Sequence, residues 1–396
     1  MPRTKKEPLF STVMVHPTLA VIHASSLQAV ELDAVLLAEL NGTTATGTPA
    51  AFSWKSGPAG HLIVLYAAQP FDDLPMAHTA MHAQVVRASS ILAQRNLLLM
   101  PGGAHPFLDG SSTGLPPFPG AEHSGWRNNQ CLVVKLPFTD DEFAKVLAAV
   151  RVLLPILPAL SAASPFSDGS VGTSLDMRFV RQSERFSAWN ALAGPLIPEA
   201  VFTRDDYYRT VFTPIVKTLA DAGLHDKVDM LAMDSRSATA SFDPDLMELK
   251  ILDGQEGIGA NVALVELLVA ALRKLCNGRW ISTYVQRAWD AADLTEILQN
   301  VLRNGPKAVI DNQQYLRTFG CDASVLSAGH LWEHIVAQLG KQLSARCRDH
   351  AMFILREGNL AQRMLKGTGA SPGKNELLSV HERMCASLIS DEVFRA

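Results

Sequence analysis

Residues 238–257 read ATASFDPDLMELKILDGQEG, and their pattern decides the architecture. Two strand-like runs flank Asp243-Pro244-Asp245, a turn-forming triplet, so the stretch predicts a pair of strands joined by a tight turn. In the second run Glu248, Lys250 and Leu252 alternate with Met247, Leu249 and Ile251, which puts the charged members on one face of a sheet. The run ANVALVELLVAALRKL (260–275) that follows predicts a strongly apolar helix.

Further strands are expected over 10–24 and 59–67, in LLLMPGGAHPF (97–107), which reads as strand into loop, and in QCLVVKLPF (130–138). Helical spacing marks SSLQAVELDAVLLAELNG (25–42), stopping at Asn41-Gly42, and the longer stretch 73–97. Thr139 caps a third helix, with acids in its first turn where they suit the helix dipole. Residues 161–200, rich in Ser, Gly and Pro, read as irregular loops, and the pattern from Trp280 onward is almost wholly helical. Strands early and helices late define an α+β protein. It is expected to be one domain over 1–396, with sheet and covering helices in 8–275 and a mostly helical part in 276–396.

Composition bounds the function. The 396 residues are 47% hydrophobic, and 35 basic against 39 acidic residues give a net charge of −4. Such a chain builds a large core and offers no basic face for nucleic acid; the run Arg3-Thr4-Lys5-Lys6 reads as a solvated terminus. No signal peptide or membrane span is read: the longest apolar stretch, around 145–166, is broken by Arg151, Pro155 and Pro158. Five scattered cysteines without a C-x-x-C pair suit reduced cytoplasmic thiols.

Five stretches carry a resemblance: LLPILPALSAASPFSDGSVGTSLDMR (153–178), MELKILDGQE (247–256), GGAHPF (102–107), GWRNNQCLVVKLPF (125–138) and FILREGNLAQRMLKGTG (353–369). In this order and spacing the chain resembles the type 2 glutamate–cysteine ligase family of carboxylate–amine ligases. The resemblance implies a curved antiparallel sheet forming a funnel, related to the glutamine synthetase catalytic domain. It also implies ATP and Mg²⁺ as cofactors, with a glutamate carboxylate activated as an acyl phosphate and then joined to an amine. Magnesium takes hard oxygen ligands, so such a site calls for several carboxylates pointing into one funnel.

The sequence departs from that pattern. The family's first strand carries Gly-x-Glu-x-Glu, where this chain has Met14, His16 and Thr18; no Asp or Glu occurs from Pro8 to Val30. On the next core strand His61 is kept, but the acidic positions fall at about Gly57 and Val64. Beyond it the family's His-x-Asn is replaced by Val133-Val134-Lys135. Glu248 is left as a residual metal ligand, or else as a wall residue paired with Arg236 or Lys250. A transition-metal set of His16, His61 and Glu248 is a sharper alternative, against which His61 on an apolar strand reads as a core histidine. The residual catalytic candidates are Arg178, Arg236 and His105, each equally readable as a loop brace. Asn128, Gln130, Lys135 and Lys250 are candidates for holding substrate or ATP. The expectation is a catalytically degenerate paralogue, a homo- or hetero-oligomer that binds a small carboxylate or partners an active ligase or pathway enzyme. The alternative is an active ligase whose metal site is rebuilt on Glu248, Asp253 and other acids.

Overall fold

The computed structural model describes residues 8–42, 51–57, 59–108, 128–186, 194–221, 223, 236–369 and 371–396. The basic run 3–6, Pro58 and the Gly125-Trp126-Arg127 part of the fourth stretch lie outside them.

The strands are β1 (Met14–His23), β2 (Phe52–Ser56), β3 (Leu62–Ala67), β4 (Leu97–Met100), β5 (Cys131–Pro137), a short hairpin of β6 (Phe166–Ser167) and β7 (Ser170–Val171), then β8 (Ala238–Phe242) and β9 (Asp245–Asp253), with a two-residue pair, β10 (Val309–Ile310) and β11 (Leu326–Ser327), within the otherwise helical remainder. Seven of them form one sheet in the order β2-β3-β1-β5-β9-β8, with β4 also on β1. Every pairing is antiparallel. β1 is the central member: Met14–Pro17 pair with β5, Thr18–Ala20 with β3 and Ala20–His23 with β4.

Period-two alternation gives this sheet two unlike faces. Val13, Val15, Leu19, Trp54, Leu65, Val134, Leu136, Met247 and Leu249 are buried on one face, under helices α2 (Leu74–Ala93), α3 (Phe143–Leu153) and Ile258–Cys276. On the other face Tyr66, Val133, Lys135 and Glu248 keep partial solvent access and Lys55 is exposed. Near β4 this second face is closed by Ala20, Ile22, Leu62, Met100 and Cys385.

Several elements differ from the sequence reading. The helix expected from Ser25 begins only at Ala34 (α1, Ala34–Asn41), where the Asp33 carboxylate accepts from the Leu36 N–H at 2.7 Å. Before it, Leu27 takes a positive φ of 53° and Ala29 bridges back to Ile22, which holds 25–30 against the sheet. β2 was not anticipated. Within the supposedly irregular 161–200 lies a helix, Met177–Phe186, whose start is fixed by Asp176 accepting from the Phe179 N–H at 3.0 Å. A bulge also changes β9: Leu249 faces Val134 but Leu252 faces Leu132, so two residues of β9 oppose Val133. Leu252 therefore joins the covered face and does not share the Glu248 face, as strict alternation had suggested.

The bulge is held by a buried ion pair. Arg178 donates through Nε to Asp253, and its terminal nitrogens donate to the carbonyls of Lys250 at 3.1 Å and Ile251 at 2.8 Å and to Asn129 Oδ1 at 3.1 Å. The second Asp253 oxygen accepts from the Ala163 N–H at 2.7 Å and the Ser164 hydroxyl at 2.8 Å. Gly103 abuts the same carboxylate; a Cβ there would stand 2.3 Å from it. Glu256 bonds Arg363 at 2.6 Å, and the Asn359 side-chain amide donates to the Ala159 carbonyl at 3.2 Å. Four of the five stretches thus meet at this pair, and the fifth, 353–369, bonds beside it to Glu256 and Ala159.

Removing one partner of a buried, fully bonded pair leaves the other charge uncompensated and costs about 3–5 kcal/mol. Asp253→Ala is expected to lose that much in urea unfolding, whereas Lys135→Gln, in a partly exposed pair, should lose about 1 kcal/mol or less. Equal midpoints for Asp253→Ala and the unsubstituted chain would rule out the network as the organising element.

Candidate functional site

The partly exposed face is where the sheet meets solvent, and its side chains form the candidate site. Lys135 and Glu248 are direct cross-strand partners, with Nζ 2.7 Å from the carboxylate. Thr239 of β8 stands opposite Glu248 on the other side. On β1, Met14 faces Lys135, His16 faces Val133 and Thr18 faces Val64. Val64 in turn faces Lys55 of β2. The Lys55 ammonium sits 3.3 Å above the Tyr66 ring, whose centroid is 4.6 Å from that of His16.

The charges are coupled. Burial by itself would raise the Glu248 carboxyl, but Lys250 and then Lys135 outweigh it and hold the group below the usual carboxylate range. His16, 3% exposed, is pushed down to about 4, first by burial and next by Lys135, with Lys55 adding in the same direction. Its ring bonds the backbone of Ala67, while Nε2 is buried without a hydrogen-bond partner. By the register this face carries two strand carboxylates, Glu248 and, past the bulge, the buried Asp253 opposite Cys131, together with Lys55, Lys135 and Lys250.

The remaining candidates lie elsewhere. Arg178 is buried in the network beneath the bulge, its donors committed to Asp253, Asn129 and backbone. Arg236 forms a two-pronged pair with Glu199, at 2.8 and 2.5 Å, and is not the partner of Glu248. His105 is 1% exposed: Nε2 bonds the Leu27 carbonyl at 2.7 Å and Nδ1 accepts from the Phe107 N–H at 3.2 Å. Asn128 clasps the same loop, donating to the carbonyls of His105 at 2.9 Å and Leu108 at 3.2 Å. Gln130 donates to the Met100 carbonyl at 2.8 Å. These residues brace the loop that closes one end of the sheet.

His16, His61 and Glu248 are not gathered. Among the described residues no three His, Cys, Asp or Glu side chains converge as a metal site. His61 lies in the turn before β3, where its carbonyl accepts from the Val21 N–H at 2.8 Å, while His16 and Glu248 belong to β1 and β9 on the partly exposed face. Lys55 and Tyr66 went unassigned in the sequence reading. The alternation Phe52, Trp54 against Ser53, Lys55 was the signal that would have supplied β2, and with it Lys55.

An antiparallel sheet of this kind, helix-covered on one side, is similar to that of glutamate–cysteine ligase from Francisella tularensis in complex with AMP. The two superpose with a TM-score of 0.60 over 96% of this chain and 89% of that one, at 10% identity. The complex of the ubiquitin-like protein Pup with its ligase PafA superposes with a TM-score of 0.40, at 10% identity, over 97% of this chain and 66% of that one. The model of glutamate–cysteine ligase family 2 matches residues 63–381, and the chain belongs to that family. An uncharacterized protein of Archaeoglobus fulgidus is 28% identical over 54% of this chain; the match spans 60% of that relative. No helix among the described residues is long and apolar enough to cross a membrane.

Burial also fixes a pH dependence. His16, His105 and His381 are each pushed down to about 4, chiefly by burial, and His350 is lowered for the same reason. They stay neutral when folded but take up protons when unfolded below pH ~6.5, so stability falls as pH drops from ~6.5 to ~4. Asp176 acts in the opposite sense, pushed up to about 7 by burial and then by Asp253. The expected net uptake on unfolding near pH 5 is roughly two to three protons, read from urea midpoints against pH. His16→Gln should remove about one of them; a flat profile would contradict neutral burial.

Proposed function

We propose that this chain is a carboxylate–amine ligase-like protein that has kept the family scaffold as a binding or partner subunit and no longer carries a magnesium-driven ligase site. The observation that carries the reading is the Lys135–Glu248 contact of 2.7 Å on the partly exposed face, which stands for the floor of the family's funnel. Magnesium demands near-octahedral oxygen ligands at about 2.0–2.1 Å and is held in enzymes through carboxylates and substrate phosphates. Here the face offers a methionine, a histidine and a threonine at 14, 16 and 18, and its strand carboxylates are both engaged, Glu248 by the Lys135 ammonium and Asp253 by Arg178. The described residues do not fit a multi-magnesium site.

A rebuilt site on Glu248 and Asp253 finds no support either. Asp253 has both oxygens occupied by Arg178, Ala163 and Ser164 within the buried network. A protein partner or a small carboxylate ligand fits a scaffold whose core and helix caps are intact. The reading predicts no ADP release above background from purified protein given ATP, Mg²⁺, glutamate and cysteine. Sustained ADP release that follows protein concentration would overturn it, and pull-downs for a partner are the next step if none is seen.

A further inference from the structure

We propose that the cleft between the start of helix Ile258–Cys276 and helix Ala345–Glu357 binds a free amino acid as its zwitterion, over the ring of Phe353 and with a hydrogen bond to His350. Among the described residues no strand of the sheet lines this cleft, so the inference goes beyond the reading above and does not depend on it.

Helical periodicity builds one wall. Arg346, Asp349, His350, Phe353 and Arg356 recur at three- and four-residue steps that set them on one face of their helix, while Cys347, Ala351 and Ile354 turn into the core. Gly257, Gly259 and Ala260 supply a second wall, and residues that follow helix Lys374–Ser390 supply a third. The cleft has a volume of about 620 Å³, within the range of small-molecule sites.

Its charges divide evenly: Arg346, Arg356 and Arg395 stand against Asp349, Asp391 and Glu392. Asp391 and Arg346 are committed to each other. The Asp391 carboxylate accepts from Arg346 at 2.9 Å and from the Gly259 N–H at 2.7 Å, and bonds His78 at 2.6 Å. Arg356 pairs with its neighbour Glu357 at 3.0 Å, and the Arg395 guanidinium lies 5.1 Å from the centre of the Phe353 ring. Asp349 and Glu392 are exposed, and neither has an ion pair among the described residues. A balanced rim favours neither a polyanion nor a cation; it suits a ligand with one charge of each sign.

The floor supplies the second feature. His350 lines the cleft at 9% exposure, and its Nε2 has no hydrogen-bond partner. Its ring lies 6.5 Å from that of Phe353 at 27°, so a polar atom in want of a partner sits beside an apolar surface. A buried polar atom left unbonded is unfavourable, and a ligand group that bonds it removes that penalty. The ligand's carboxylate matches the fork of Arg395, its ammonium pairs with Asp349, and its side chain covers Phe353.

The test is calorimetric titration of the full chain with each proteinogenic amino acid. Binding of at least one is expected, and its amide and N-acetyl derivatives, each lacking one charge, should bind about tenfold more weakly. Asp349→Asn and Arg395→Gln, both at exposed positions, should weaken binding about tenfold, and His350→Leu several-fold. Circular dichroism of each variant, the buried His350→Leu above all, separates loss of the site from loss of the fold. No binding of any amino acid, equal binding of the two derivatives, or binding that both rim variants leave intact would overturn the inference. So would binding that Glu248→Gln abolishes while the rim variants retain it, since the ligand would then lie on the sheet face.

Discussion

Everything in this fold leans on the Arg178–Asp253 pair. A charge in the interior is tolerated only when it is paired and its remaining donors and acceptors are satisfied. Arg178 meets that condition by bonding Asp253, Asn129 and the two bulge carbonyls, and Asp253 by accepting from Arg178, Ala163 and Ser164. The pair thereby fixes the end of β9, the turn after α4 (Pro158–Ser161) and the start of α5 (Met177–Phe186) in one place. Gly103 and Gly254 follow from it. The first lies against the carboxylate, and a Cβ on the second would meet the carbonyls of Gly102 at 2.9 Å and Gln130 at 3.0 Å.

The consequence for the site is indirect but firm. The bulge that Arg178 stabilises reverses the facing of β9 past Ile251, so that Leu252 packs into the core while Glu248 and Lys250 stay on the other side. Without the extra residue, strict alternation would carry Leu252 onto the charged face. The sheet keeps one apolar side and one side where charged groups accumulate.

The fold was legible in the sequence where periodicity was strong and the turn chemistry was local. β1, β3, β5, the β8–β9 hairpin and the helix 258–276 followed from alternation, an Asp-Pro-Asp turn and a long apolar run. β2 was missed because five residues give only two alternations, and α5 because its polar surface carries little apolar signal. The site was half legible. Lys135, Lys250, Glu248 and His16 were named from the sequence, but Lys55 and Tyr66 reach the site only through the pairing of β2 with β3, which spacing cannot reveal. Arg178, His105, Asn128 and Gln130 stood out by motif, and the structure shows those motifs bracing one another; a motif marks where the chain is constrained, whether by ligand or by packing.

This separation explains how one scaffold holds two kinds of floor. The residues that define the fold sit on the covered face and in the Arg178–Asp253 network, while those that define ligand chemistry sit at alternate positions on the other face. In β1, Val13, Val15, Leu19 and Val21 pack the core whatever occupies 14, 16 and 18. Carboxylates at those alternate positions would make a floor for metal ions. With Met14, His16 and Thr18 there, this chain changes the chemistry of the alternate face and leaves the packing of the covered face as it was.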